Sequence, residues 1–324
     1  MSRPTISVLI PTYNYARFLP EAIESVLAQD FQDFELLIVD DCSTDDTASV
    51  VQPFCGRDAR VRFEVNPSNL GMVHNWNRCL EQARGEYIKF LFGDDKLFHP
   101  RALGRMLALL RQHPSAALAA SARMILDERS NAVDLHRHWA EGCHNGRKII
   151  LACMMQNGKN LVGEPSAVLF RKADARRGFD PGYRQVVDIV MWFHLLERGD
   201  LAYTREPLCA FRRHPGQQTE VNWAAGTNST ESARFVSSYA LQPWLPRKAV
   251  FPVLFQLRRS RSRGSAAPSS EMLERERRLT GRWGKGWIWF YWLYCVRYRL
   301  SKPFQNLRDS IRKRVLRYRL ASLR

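Results

Sequence analysis

Phe34-Glu-Leu-Leu-Ile-Val-Asp-Asp-Cys-Ser-Thr-Asp-Asp-Thr47 is the stretch on which the fold turns. Its first half is a short apolar run closed by acids, so residues 35–41 read as a strand buried on both faces. Its second half reads as a helix start, because Asp45 and Asp46 stand where the free N–H groups of a helix N-terminus favour negative charge. A buried strand feeding directly into a helix is the repeating half of a βαβ unit.

The same alternation extends on both sides. Residues 5–11 (Thr-Ile-Ser-Val-Leu-Ile-Pro), 61–65 and 86–92 read as further strands, with helical patterns at about 19–29, 45–54, 72–83 and 100–112. This rhythm predicts an α/β fold, a Rossmann-like and mostly parallel sheet flanked by helices. After residue 113 it loosens. Strand-like stretches at 116–126 and 166–170, a helix at 186–198 and strands near 200–211 predict a mixed second half. One domain is expected over 1–235, divided into halves of about 1–112 and 113–235.

Charge sets the remainder apart. Residues 1–235 carry 28 Lys and Arg against 28 Asp and Glu, whereas residues 236–324 carry 21 against 4 and so hold the whole +17 excess. A neutral body with a strongly basic tail is expected. Within the tail, residues 258–270 have the composition of a linker. The seven cysteines form no C-x-x-C pair, which predicts a reducing compartment and neither a disulfide framework nor a zinc site. The Met-Ser-Arg-Pro-Thr start, without an apolar signal run, predicts a chain lacking a secretory leader.

Ligands of an open parallel sheet bind beyond the carboxyl ends of its strands. Pro11-Thr-Tyr-Asn14 follows the first strand, Asp40-Asp-Cys-Ser43 the second and Gly93-Asp-Asp95 the fourth. Parallel strands bring these clusters to one edge. Adjacent carboxylates facing a diphosphate need a hard divalent cation between them, so Asp94 and Asp95 suit a metal and sugar-nucleotide end. Asp41 suits a hydrogen bond to a base or ribose.

These residues resemble the family 2 glycosyltransferases of GT-A fold. The resemblance runs from Ser7-Val-Leu-Ile-Pro-Thr-Tyr-Asn14 through Ala22-Ile-Glu-Ser-Val-Leu-Ala-Gln29 and the whole of 34–47. It continues through Asn69-Leu-Gly71, Asn77 and Gly85-Glu-Tyr-Ile88 to the Gly-Asp-Asp at the place of the family's D-x-D motif. It implies that Pro11, Thr12, Tyr13 and Asn14 line the base and ribose, that Asp41 bonds the base and that Asn77 anchors the nucleotide. Asp94 would face ribose and sugar, and Asp95 would bind Mn²⁺ or Mg²⁺. Glycine at 93, where many members carry aspartate, leaves Asp95 as the expected ligand.

The second half is expected to serve the acceptor. Val187-Asp-Ile-Val-Met-Trp192 resembles the family's acid-x-x-x-aromatic setting for a general base, which makes Asp188 the candidate. An acceptor hydroxyl must lose its proton as it attacks the anomeric carbon, and inversion needs one such base. Glu164, in Gly163-Glu-Pro-Ser166, is the reserve candidate. Arg212, Arg213 and His214 stand where members often close a loop over the diphosphate. Arginine suits bidentate phosphate recognition, and a neutral imidazole can complete a metal's coordination.

In the tail, Trp287-Ile-Trp-Phe-Tyr-Trp-Leu-Tyr-Cys-Val296 is apolar and aromatic throughout. As a helix it would reach about 15 Å, half of a bilayer's hydrocarbon core, yet Trp and Tyr favour the membrane interface. Basic amphipathic helices are expected over about 283–320. The whole predicts an inverting, metal-dependent transferase moving sugar from a nucleotide-sugar donor to a glycan or lipid-linked acceptor. It would work in the cytoplasm, peripheral on an anionic inner membrane face, without nucleic acid as a partner, since the aromatics are fused into one block. The alternatives are a sugar-phosphate nucleotidyltransferase, which would need a Gly-rich basic loop after the first strand, and a non-catalytic membrane adaptor.

Overall fold

The computed structural model describes residues 3–224, 227–246, 249–263, 270–281, 288–289, 291–297 and 300. Its first half alternates as the sequence predicts: β1 (Ile6–Thr12), α1 (Leu19–Leu27), β2 (Phe34–Asp40), α2 (Thr47–Arg57), β3 (Val61–Val65), α3 (Met72–Gln82) and β4 (Tyr87–Phe90). The apolar residues of β1 and β2 are wholly or almost wholly buried. That follows from covering by helices on both faces.

Then come β5 (Lys96–Leu97), α4 (Ala102–Gln112), β6 (Ala116–Leu126), β7 (Ala132–His136), β8 (Gly142–His144), α5 (Gly146–Met155), β9 (Val168–Arg171), α6 (Val187–Leu196) and β10 (Asp200–Arg212). The short strands β5, β7 and β8 have no period of their own, and long partner strands define them. The sheet order is β3-β2-β1-β4-β9-β6-β10-β5, with β7 on β6 and β8 on β10. β1 to β4 are parallel, and β9 runs antiparallel between β4 and β6. Since β10 is parallel to β6, the ends of β1, β2, β4, β6 and β10 share one edge, and the chain entering β9 starts there too.

Two compact units emerge: residues 1–149 with 162–215, and residues 150–161 with 216–324. The first unit therefore ends at Pro215, earlier than the expected 235. The reason is that α7 (Gln218–Ala224) packs on α8 (Thr227–Tyr239), which packs on α9 (Val250–Arg263) and α10 (Ser270–Gly281). The expected linker is corrected over 258–263, which continue α9; there Arg258 Nε donates to Glu276 Oε1 of α10 at 2.8 Å. Ser270 of that linker opens α10, while residues 264–269, 282–287, 290, 298–299 and 301–324, including Trp287 and Phe290 of the aromatic run and most of the expected second tail helix, lie outside the described residues.

One glycine shows why the first half closes so tightly. A Cβ at Gly85 would stand 2.5 Å from the Ser7 backbone nitrogen. The Gly85 amide donates to Ser7 Oγ at 2.7 Å, and Ser7 Oγ donates to Glu35 Oε1 at 2.6 Å. This buried polar stitch ties the starts of β1, β2 and β4 together, so the functional residues hang from a rigid frame.

Candidate active site

The chain runs outward through β1, β2 and β3 and returns to β4 on the other side of β1. The reversal opens a crevice between the ends of β1 and β4, where Thr12 faces the Gly93-Asp94-Asp95 turn. Two left-handed non-glycine residues, Asn14 (φ 58°) and Cys42 (φ 64°), turn the loops after β1 and β2 at this edge. Asparagine tolerates that conformation through local hydrogen bonds. The Asn14 amide donates to Ser43 Oγ, and Asn14 Oδ1 accepts from the Thr44 amide, each at 2.8 Å. Asn14 thus joins the two loops. Pro11 and Thr12 are buried, while Tyr13 is exposed.

Asp94 and Asp95 are both buried. Asp95 Oδ1 accepts from the Arg212 amide at 2.9 Å, but its Oδ2 is buried with no hydrogen-bond partner. Burial first, and the Asp94 carboxylate second, push the Asp95 pKa well above the usual carboxylate range, with the Ser166 hydroxyl and the Arg212 amide offsetting only part of the shift. Asp94 Oδ2 lies 3.1 Å from His214 Nε2. The imidazole sits among Phe18 and Tyr15, with ring centroids at 4.8 and 5.8 Å. Arg213 is exposed, and its amide donates to Leu126 O at 2.9 Å.

Three of the expected nucleotide contacts have partners within the protein. Asp41 is occupied by the loop before α3: its Oδ1 accepts from Asn66 Nδ2 (2.7 Å) and the Leu70 amide (2.8 Å), and its Oδ2 from the Gly71 amide (2.8 Å). Gly71 takes φ 85° there, which a side chain would resist. Asp40, to which the motifs assign no contact, ends β2 with a carboxylate bonded only to Ser43. Burial raises its pKa, and neighbouring Asp45 and Asp41 add to the shift. Asn77 bridges the Phe179 amide (2.7 Å) and carbonyl (2.9 Å), so it holds the loop that carries Phe179. Arg212 is buried within a hydrogen-bonded ion pair to Glu21, whereas its neighbour Arg213 is exposed.

On the acceptor side, Asp188 lies in the first turn of α6, half-buried, with Oδ1 accepting from the Ile189 amide at 2.7 Å. One turn on, the fully buried Trp192 donates its indole N–H to Gly163 O at 2.9 Å. Gly163 begins the loop that carries Ser166, whose Oγ accepts from the Phe92 amide at 3.1 Å just before the Asp94–Asp95 turn. The base candidate is therefore tied through one loop to the acid turn. Glu164 is paired with the buried Arg123, which neutralises it and removes its value as a reserve base.

Among the described residues no group of three His, Cys, Asp or Glu side chains is gathered as a complete metal site. The unpartnered Asp95 Oδ2, with Asp94 and His214 close by, fits an ion that also draws ligands from a bound diphosphate.

Comparison with known proteins bears on the family and the fold. Residues 7–177 match the family model described as glycosyl transferase family 2. A Campylobacter jejuni GalNAc(5)-diNAcBac-PP-undecaprenol beta-1,3-glucosyltransferase is 43% identical over 95 residues, 29% of this chain and 31% of that one. Among solved structures, S. aureus TarS 1–349 in complex with UDP-GlcNAc superposes with a TM-score of 0.63 at 18% identity, covering 86% of this chain and 80% of that one. The Pyrobaculum calidifontis mannosyltransferase PcManGT with GDP-Man and Mn²⁺ gives a TM-score of 0.55 at 16% identity, covering 95% and 88%. These likenesses establish the GT-A fold expected from the sequence. With more than half of its length matched and the motifs standing in order along one sheet edge, the chain belongs to glycosyl transferase family 2 and is a glycosyltransferase.

Proposed function

We propose that the protein is an inverting, metal-dependent glycosyltransferase of surface polysaccharide assembly. It takes a nucleoside diphosphate sugar, with UDP favoured over dTDP and GDP, and a hydroxyl of a glycan or lipid-linked acceptor. The observation that carries this reading is the buried, unpartnered Asp95 Oδ2 beside Asp94 and His214. A buried carboxylate crowded by a second one is stable as an anion only with a cation near it. UDP-GlcNAc in the TarS complex, GDP-Man with Mn²⁺ in the mannosyltransferase and the undecaprenol-linked acceptor of the Campylobacter relative support the substrate classes.

Each residue then has a task. Tyr13, 44% exposed, offers a face for the base, with Pro11, Thr12 and Asp40 around the nucleoside. Arg213 reaches for the diphosphate. Asp95, Asp94 and His214 would hold Mn²⁺ or Mg²⁺, which when bound would supply positive charge to the leaving diphosphate. Asp188 accepts the proton of the acceptor hydroxyl as its oxygen attacks the anomeric carbon. The new glycosidic bond forms as the bond to diphosphate breaks, with inversion.

The same reading seats the protein on an anionic membrane. Residues 288–289, 291–297 and 300 are helical. Tyr294 packs on Phe251 and Phe255 of α9, whereas Trp289 (61% exposed) and Trp292 (53%) stack at 5.5 Å on the open side. Ile288, Leu293 and Leu300 are exposed as well. An open tryptophan strip in a region holding 21 Lys and Arg suits a headgroup boundary. No helix among the described residues is long and apolar enough to cross a membrane.

The test is a panel of UDP-, dTDP- and GDP-sugars incubated with Mn²⁺ or Mg²⁺, followed by release of the nucleoside diphosphate. Release from one donor class, abolished by chelation, is expected. Release that is indifferent to chelation would end the metal-dependent reading.

A further inference from the structure

Glu21 belongs to α1, far in sequence from the acids of the donor edge, yet its carboxylate reaches them through one side chain. Its Oε2 accepts from Arg212 Nη2 and from Ser130 Oγ, the latter at 2.8 Å, and its Oε1 accepts from Lys96 Nζ. Arg212 is only 1% exposed. Its Nε donates to Asp94 O at 2.7 Å, its amide to Asp95 Oδ1 at 2.9 Å, and its Nη1 to Ser130 Oγ at 2.8 Å and Asp127 O at 3.3 Å. The guanidinium face covers the Phe18 ring at 5.0 Å, and that same ring packs on His214. One residue thus meets both acids, Asp94 through its guanidinium and Asp95 through its backbone amide, and its guanidinium lies on the aromatic wall of the imidazole.

We propose that Glu21 and Arg212 form a clamp that positions Asp94, Asp95 and His214, making Glu21 a positioning residue for the donor although its own carboxylate is committed to Lys96, Ser130 and Arg212. The physical reason lies in what a buried guanidinium does without its anion. Arg212 needs a carboxylate, and Glu21 supplies one on the side away from the Asp94–Asp95 turn. With that charge removed, Asp94 and Asp95, already held by the Arg212 Nε and amide, are anions within its surroundings. Arg212 would turn toward them and compete for the oxygens that a donor-bound cation uses. Planar, directional donors are required, since Nε and Nη2 point to Asp94 O and Glu21 at once.

The inference rests on the donor reading above, and one experiment separates the two. UDP binding in the presence of Mn²⁺ is measured by calorimetry for wild type, Glu21→Gln, Glu21→Asp and Arg212→Lys, together with donor KM, acceptor KM and kcat. Glu21→Gln should weaken UDP–Mn²⁺ binding and raise donor KM by about tenfold, the scale of one charge-assisted hydrogen bond. Acceptor KM should stay within about twofold of wild type, and the charge-retaining Glu21→Asp should recover part of the loss. Arg212→Lys should not recover it. A purely structural role lowers the active fraction and kcat while leaving KM alone, and that pattern would overturn the clamp. Should Glu21→Gln fail to fold, Glu21→Asp and Arg212→Lys carry the same test, and unchanged donor KM in both overturns it. Wild type that binds none of UDP, dTDP or GDP with Mn²⁺ overturns the donor reading and the clamp with it.

Discussion

His214 Nε2 meets Asp94 Oδ2 at 3.1 Å across 120 residues of chain. The contact joins the end of β10 to the end of β4, two strands that point to one sheet edge although β9 and β6 stand between them. An imidazole and a carboxylate from opposite halves of the domain thereby become one corner, with the unpartnered Asp95 Oδ2 beside it.

The corner makes the metal role of Asp95 testable. Asp95→Asn removes the charge while keeping the shape, so calorimetric binding of UDP should lose its dependence on Mn²⁺. Equal UDP affinity with and without Mn²⁺ in wild type and variant alike would take Asp95 out of the ligand set.

Asp188→Asn should leave the fold and UDP affinity unchanged while transfer falls by about 10²–10⁴-fold, the usual scale for loss of a general base. Steady-state transfer with a matched binding measurement distinguishes this from a donor defect. Near wild-type transfer would place the base elsewhere, and Glu164 is a poor substitute because Arg123 already pairs with it.

Position 93 is filled by its neighbours. A Cβ there would lie 3.3 Å from Leu19 Cδ2, 3.3 Å from Thr12 Oγ1 and 3.4 Å from Tyr15 Cβ. Gly93→Asp should therefore cost about 1–3 kcal/mol of stability through overpacking and should not strengthen Mn²⁺ binding. Chemical denaturation and calorimetry report the two effects. Tighter Mn²⁺ binding by the variant would mean that 93 is a ligand position waiting for its acid.

Lys89 is fully buried in the centre of the sheet, its ammonium directed at Ser166 O, and burial lowers its pKa from 10.5 to about 8. A base with a depressed folded pKa contributes stability that is complete above its unfolded value and is lost as pH falls through the folded one. Between pH 8 and pH 10.5 the unfolded chain holds this proton and the folded one does not, so raising the pH favours the fold. The Lys89 contribution should grow by about 3 kcal/mol across that window, read as the difference between wild type and Lys89→Met, because burial raises the pKa of Cys79, Cys153 and Cys209 and those thiols pull stability the other way as pH rises. Lys89→Met should lack that gain. Urea unfolding of both proteins across the window reads the difference, and parallel profiles would rule Lys89 out as the titrating group.

For the tail, the full chain should float with anionic vesicles and remain partly bound at about 1 M NaCl, because apolar burial does not depend on salt as charge attraction does. Trp289→Ser with Trp292→Ser should make binding salt-labile while donor hydrolysis continues. If the double variant binds as wild type does at high salt, the exposed strip is not the membrane contact.

The sequence by itself determined the strand and helix alternation of the first half, the clustering of motifs at strand ends and the family. Those features depend on local signals: fully apolar runs such as Leu36–Val39, acids at helix starts and fixed motif spacing. It also marked Asp94, Asp95, Asp188 and His214, whose residue types announce their chemistry. Only the tertiary structure decided what Asp41, Asn77 and Arg212 do. Each is a polar side chain beside a motif, indistinguishable in sequence from a ligand contact, and its partners arrive from distant segments: Leu70 and Gly71 for Asp41, Phe179 for Asn77, Glu21 for Arg212. A buried polar group must find a hydrogen-bond partner, and which partner it finds is a property of the assembled sheet edge. For the same reason Asp40 and Glu21 were silent in the sequence, since nothing local separates a carboxylate that caps a turn from one that faces a ligand or holds a clamp in place.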